Sequence, residues 1–185
     1  MNTANKEEIY TIEDIEALPE GERAELIDGK IYFMAAPGFT HQYISSLVNT
    51  DIVNYIRDNN GKCVSVTAPF SVFLNNDKNK TTYVEPDITV ICDRSKIDSK
   101  GCHGAPDWVI EIVSPSSRVM DYFTKTNKYR DAGVKEYWVV DIEEKLVTVW
   151  CFENETIKHY HFGEEIPVGI FDGFSIKIPE EPDNL

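Results

Sequence analysis

The 185-residue chain is predicted to fold as one α/β or α+β domain, a single sheet flanked by helices. Three observations predict it. The apolar runs Trp108-Val109-Ile110-Glu111-Ile112-Val113 and Tyr137-Trp138-Val139-Val140 have the continuity of strands buried on both faces. Residues 40 to 58 place Tyr43, Ile44, Leu47, Val48, Ile52, Val53, Tyr55 and Ile56 at helical spacing. No repeat, low-complexity tract or Gly/Ser/Pro linker interrupts residues 10 to 178.

The elements follow in order. Thr11 caps an acidic first turn, so residues 12 to 18 are a short helix stopped by Pro19. Asp28-Gly29 between apolar runs marks a hairpin over residues 24 to 34. The long helix of 40 to 58 comes next, then a strand from Cys63 to Leu74 broken near Pro69. Two strands with an embedded carboxylate follow, Val84-Glu85-Pro86-Asp87-Ile88-Thr89-Val90-Ile91 and Trp108 to Val113. A helix is expected from about Ser116 to Ala132, ended by Gly133. Glu136 to Asp141 is a strand, Lys145 to Phe162 a hairpin around Asn154, and Phe174 to Ile178 a last strand. The first nine and last six residues are expected to fray.

Composition narrows the function. With 18 basic against 32 acidic residues the net charge is −14, which opposes tight sequence-independent binding of nucleic acid, since such affinity comes largely from Lys and Arg. A local basic groove or a bound metal can overcome that field. No stretch approaches the roughly 20 apolar residues that span a bilayer, and the start is too polar for a signal peptide, so no membrane role and a cytoplasmic location are expected. Cys63, Cys92, Cys102 and Cys151 lie far apart with no C-x-x-C pair. They predict neither a structural zinc site nor a disulfide framework; Cys63, Cys92 and Cys151 are expected as small core residues.

A carboxylate inside an apolar strand costs on the order of several kcal/mol unless something pairs with it. Two of them, Asp87 and Glu111, on neighbouring strands are what a divalent-cation site needs. Hydrolysis of a phosphodiester calls for that chemistry: magnesium held by one or two carboxylates, with a lysine near the attacking water. The same face of the strand two residues past Glu111 holds Val113, not a lysine. A substitute lies on the next helix, where Asp121, Lys125, Lys128 and Tyr129 share one face.

These residues also resemble a known family. Pro86-Asp87, then Ile110-Glu111-Ile112-Val113-Ser114-Pro115-Ser116-Ser117-Arg118, then Asp121-x3-Lys125-x3-Tyr129-x2-Ala132-Gly133-Val134-x-Glu136-Tyr137-Trp138-Val139-Val140-Asp141 look like the Uma-type restriction endonucleases. That family is similar to the PD-(D/E)XK nuclease superfamily. Glu25-Leu26-Ile27-Asp28-Gly29 and His41 match its N-terminal pattern. The resemblance implies a restriction-endonuclease-like core over about residues 10 to 145, a central mixed sheet flanked by helices, with a β extension over about 145 to 178. It implies a Mg2+ site (Mn2+ as an alternative) at Asp87 and Glu111, Lys125 as a displaced lysine and Glu25 as an accessory acid. His41, Tyr129 and Arg118 are weaker candidates for substrate contact. The implied activity is endonucleolytic hydrolysis of DNA by a homodimer.

Each residue also has a structural reading. Glu111 could be a buried ion pair with Lys125 or Arg118, Asp87 a turn residue after proline, and Lys125–Asp121 an ordinary surface pair. Glu25 could be a solvated charge and His41 a helix cap. His159 and His161 fit a solvated strand face. The rival function is a non-catalytic module, dimerising or partner-binding, that keeps the acidic pocket. Electrostatics should separate the two, because a nuclease predicts Lys78, Lys80, Arg94, Lys96, Lys100 and Arg118 beside the carboxylates.

Overall fold

The computed structural model describes residues 9–74, 82–115 and 117–180. The chain runs through α1 (Ile12–Glu16), β1 (Ala24–Ile27), β2 (Lys30–Phe33), α2 (Phe39–Asp58), β3 (Val64–Thr67), β4 (Val72–Phe73), β5 (Tyr83–Val84), β6 (Ile88–Ile91), β7 (Cys102–His103) and β8 (Trp108–Val113). A π-helical segment, Met120–Lys125, passes directly into α3 (Thr126–Ala132), followed by β9 (Glu136–Asp141), β10 (Leu146–Cys151), β11 (Thr156–His161), β12 (Glu165–Pro167) and β13 (Ser175–Lys177).

Local chemistry explains the ends of these elements. At α1 the Asp14 carboxylate accepts the Thr11 backbone N–H at 2.7 Å, satisfying a donor left over at the helix start. The β1–β2 hairpin turns through Asp28 (φ 52°) and Gly29 (φ 73°), the left-handed pair that matches strand twist. Gly133 ends α3 at φ 95°, a conformation in which a Cβ is strained.

Two larger sheets and the two-stranded β12–β13 sheet share the core. The central one is mixed, in the order β11-β10-β9-β8-β6-β3, with β8 and β9 parallel and the other neighbours antiparallel. A parallel pair needs a crossover, and the helix between β8 and β9 supplies it. The smaller sheet, β2-β1-β5-β4-β7, consists of strands two to four residues long. On one face of the central sheet, Ile44, Val48 and Ile52 of α2 meet Ile110 and Trp138, joined by Ile166 and Ile176 of the β12–β13 hairpin. On the other face Val109, Val139 and Tyr137 pack with Tyr129 of α3 and Val72 and Val84 of the smaller sheet. The alternation within β8 therefore sends Ile110 and Ile112 to the first face and Val109, Glu111 and Val113 to the second. No helix among the described residues is long and apolar enough to cross a membrane.

Three expectations are corrected. The run from Val84 to Ile91 is not one strand: Glu85-Pro86-Asp87 separates β5, in the smaller sheet, from β6, in the central one. Proline has no N–H for a ladder, so the chain changes sheet there. Beside the single sheet read from the sequence stands a second, whose strands are too short to show a period of two. The cysteines do form a disulfide, Cys63–Cys92. With Val64 opposite Ile91, these two residues stand directly across the β3–β6 ladder, a proximity their separation of 29 residues does not reveal. Cys102 and Cys151 are free; burial pushes the Cys102 thiol up to about 11, so it is an inert core residue. The expected helix start at Ser116, the terminal frays at residues 1 to 8 and 181 to 185, and Lys78 and Lys80 lie outside the described residues.

Because Ile110 is fully buried at the centre of this packing, Ile110→Ala is expected to lower unfolding free energy by about 2–5 kcal/mol, read as a lower denaturant midpoint with an unchanged slope.

Candidate functional site

A single ammonium organises the site. Lys125 Nζ lies 2.9 Å from Glu25 Oε1, 3.0 Å from Glu111 Oε1 and 3.4 Å from Asp121 Oδ1. Its three N–H donors thus face three carboxylates that come from β1, β8 and its own helix. All four side chains are buried, each with 7% or less of its side chain exposed.

The helix reaches this arrangement by widening. Asp121 and Lys125 both lie within the π-helical segment and are its buried residues. The Asp121 carbonyl accepts hydrogen bonds from Thr126 Oγ1 at 3.0 Å and from Tyr137 OH at 3.1 Å, side-chain donors that satisfy it where the ladder is altered. One turn on, Tyr129 OH donates to Glu111 Oε1 at 2.7 Å. The Glu85 backbone N–H donates to Glu25 Oε1 at 3.1 Å, fixing the β1 carboxylate.

Asp87 completes the acidic wall. The register that sets Ile88 opposite Ile110 brings Asp87, at the entry to β6, opposite Glu111. Asp87 Oδ2 accepts the Ile112 backbone N–H at 2.7 Å and sits 3.2 Å from His41 Nε2, in the first turn of α2.

The electrostatics follow from burial and crowding. Burial raises the Glu111 pKa well above its ordinary value; Lys125 opposes this, while the charges of Asp121, Asp87 and Glu25 add to it. Asp121 is raised by burial in the same way. Burial alone would lower Lys125, but Glu111, Glu25 and Asp121 outweigh it and hold the ammonium charged. At His41 the lowering effect of burial is outweighed by the hydrogen bond and charge of Asp87; the nearby Ile112 carbonyl adds to the rise, although Nδ1 makes no hydrogen bond of ordinary geometry. Burial and the Glu111 charge raise Tyr129, so its hydroxyl stays a neutral donor. Three carboxylates face one ammonium, with Asp87 opposite Glu111, and a pocket with that excess of acidic groups could hold a further cation.

The donor set suits a hard ion that keeps much of its water. Among the described residues no three carboxylate, imidazole or thiolate groups stand together as a ready-made cage for a metal. Zinc or calcium would ask for a fuller protein shell, whereas magnesium is held by one or two carboxylates. Asp87 and Glu111 are the two carboxylates that could hold such an ion.

Six of the seven residues singled out in the sequence come together: Asp87, Glu111, Lys125, Glu25, His41 and Tyr129. Arg118 does not join them. A terminal nitrogen donates to Oδ1 of buried Asp141 at 2.8 Å, Nε stands 2.8 Å from Oδ2 as an ion pair, and the guanidinium also meets Glu143 and Glu144. The other cations expected beside the carboxylates are engaged elsewhere: Arg94 with the Lys62 carbonyl, Lys96 with the Ala105 carbonyl, Lys100 with Glu16. Lys128, on the same helix, pairs with Asp28. The part of Asp121 as a third carboxylate on Lys125 was missed, though its i,i+4 spacing signalled the pair.

Removing the cation leaves buried charges uncompensated, so Lys125→Met is expected to cost about 3–5 kcal/mol of stability at pH 7.5. A carboxyl whose folded pKa lies above its ordinary value binds protons more tightly when folded. Its stabilising contribution is present at low pH and lost as pH rises above the ordinary Glu value of 4.5. The variant should therefore recover part of the loss at pH 5, measured by urea unfolding at both pH values.

The comparisons with known proteins agree with this architecture. The fold matches a solved structure from Anabaena variabilis, described as "a putative nuclease belonging to DUF820", with a TM-score of 0.74 and 22% identity over 92% of this chain and 96% of that one. The central mixed sheet agrees with the restriction-endonuclease-like core expected from the sequence. An uncharacterized protein of Synechocystis sp. is 30% identical over 108 residues, 58% of this chain and 54% of the relative, so the match spans about half the length of that curated protein. A family model covers nearly the whole chain, residues 11–179, and the protein belongs to that family, Uma2, described as "Putative restriction endonuclease".

Proposed function

We propose that this protein is a nuclease that hydrolyses phosphodiester bonds in DNA with a divalent cation, Mg2+ or Mn2+, held by Asp87 and Glu111. The observation that supports it most is the lysine: Lys125 Nζ stands 3.0 Å from Glu111 Oε1 although the strand itself has Val113 in the place usual for a lysine. A cation bound at the two carboxylates would acidify a water and offset charge on the phosphate.

The protein groups divide the remaining work. Glu25 and Asp121 hold the ammonium beside Glu111, so its charge is fixed before substrate arrives. With its donors facing three carboxylates, Lys125 would act through its positive charge, which offsets the negative charge that develops on the phosphate. Buried Tyr129 and Tyr137 line the wall behind it and keep bulk water away. Cutting both strands of a duplex takes two such sites, so a homodimer is part of the proposal.

A second reading, a non-catalytic partner-binding module on the nuclease fold, is favoured by one observation. The cations Arg94, Lys96, Lys100 and Arg118 are tied to other groups rather than gathered at the pocket, and the net charge is −14.

Cleavage of plasmid and labelled oligonucleotides in Mg2+ or Mn2+ separates the two. Asp87→Asn and Glu111→Gln are expected to abolish metal-dependent cleavage while the circular dichroism spectrum is retained. Lys125→Met should lower kcat by about 10²- to 10³-fold, the range for removing one electrostatic stabiliser. Wild-type protein that cuts no DNA with either metal supports the binding module instead.

A further inference from the structure

The hydrogen bonds on the two acidic ligands fall in a pattern that neither the sequence nor the fold alone predicts. Both bonds to Glu111 land on one oxygen: Lys125 Nζ at 3.0 Å and Tyr129 OH at 2.7 Å share Oε1. Both contacts on Asp87 land on one oxygen as well, with the Ile112 N–H at 2.7 Å and His41 Nε2 at 3.2 Å sharing Oδ2. Among the described residues, Glu111 Oε2 and Asp87 Oδ1 lie outside these bonds. A carboxylate with one oxygen saturated by donors has its rotation fixed and its other oxygen pointed elsewhere.

We infer that Tyr129 and His41 are positioning residues that lock the two carboxylates so that each offers one oxygen, Glu111 Oε2 and Asp87 Oδ1, to a divalent cation. The inference rests on the proposed metal site and goes beyond it. It replaces substrate contact, the part expected for both residues, with orientation of the ligands. Donors behind metal-ligating carboxylates tune affinity about 10- to 100-fold in comparable sites.

Tyr129 suits this part. It is fully buried, its ring packs on Tyr137 at a centroid distance of 4.8 Å, and its hydroxyl bonds to Glu111. A substrate would have to pass through the core to reach it. His41 is more open, with 17% of its side chain exposed, and approaches Asp87 from the opposite layer, α2. Two layers thus grip the two ligands independently.

The test is calorimetric titration of the full chain with Mn2+, alone and with a phosphorothioate oligonucleotide that resists cleavage. Wild type, Tyr129→Phe, His41→Ala and Asp87→Asn are compared, and thermal unfolding is followed alongside. Tyr129→Phe keeps the ring and loses only the hydroxyl. Each positioning variant is expected to bind Mn2+ about 10- to 100-fold more weakly than wild type. Its cleavage should need correspondingly more Mn2+ with KM for DNA unchanged, and Asp87→Asn should not bind. If wild type binds and both variants bind equally well, the positioning inference is overturned and the metal reading stands. If wild type binds no Mn2+ under either condition, both fail. Should His41→Ala unfold, Tyr129→Phe decides alone.

Discussion

The Lys125 ammonium is the group on which the rest of this site depends. It joins β1, β8 and the crossover helix at one point through Glu25, Glu111 and Asp121. None of these acids could remain charged at that depth alone, since burying an unpaired ion costs more than the surrounding packing returns. The lysine equally depends on the acids, whose charges outweigh the burial that would strip its proton. The smaller sheet, the central sheet and the helix are therefore held in one relative placement by mutual neutralisation as well as by apolar contact.

A supporting network keeps the acids in place. Arg23 Nε donates to Glu85 Oε2 at 2.8 Å, and Tyr83 OH donates to Glu85 Oε1 at 2.6 Å. This anchors the turn at Glu85-Pro86-Asp87, and the Glu85 N–H in turn reaches Glu25. The same turn sends Asp87 toward Glu111. One irregular segment thus serves both sheets, and the proline that ends the first ladder permits it. Elsewhere another buried acid, Glu136, is raised by burial but accepts the Trp138 indole N–H and the Ile170 N–H, a purely structural solution. Glu111 differs because its partners include a lysine shared with two other carboxylates.

The charge distribution bears on any polyanionic substrate. Excess negative charge repels phosphate at a distance, and the described bases near the fold's loops are held in local pairs. Contacts made at short range, through a bound cation and Lys125, would have to supply attraction that the protein's overall field does not.

The sequence by itself determined the elements with strong periodicity and the acids with an anomalous setting. The α2 face, the β8 and β9 runs, the Asp28-Gly29 turn and the Gly133 stop were all legible, because each is a local consequence of side-chain spacing or backbone freedom. Glu111 stood out because a charge in an apolar run needs an explanation, and the spacing of Asp121, Lys125 and Tyr129 placed them on one helix face. Only the tertiary structure decided who pairs with whom. The capture of Lys125 by Glu25, 100 residues away, depends on the packing of one sheet against another. So do the transfer of Arg118 to Asp141 and the meeting of Cys63 with Cys92. The joining of the β1–β2 hairpin to the two-residue strands β4, β5 and β7 in a second sheet, and the π-helical widening, were hidden for a related reason. Two residues carry no measurable period, and a widened turn leaves the i,i+4 pattern of its neighbours intact. Local order is written in spacing; the balance of buried charge exists only once the layers have closed around it.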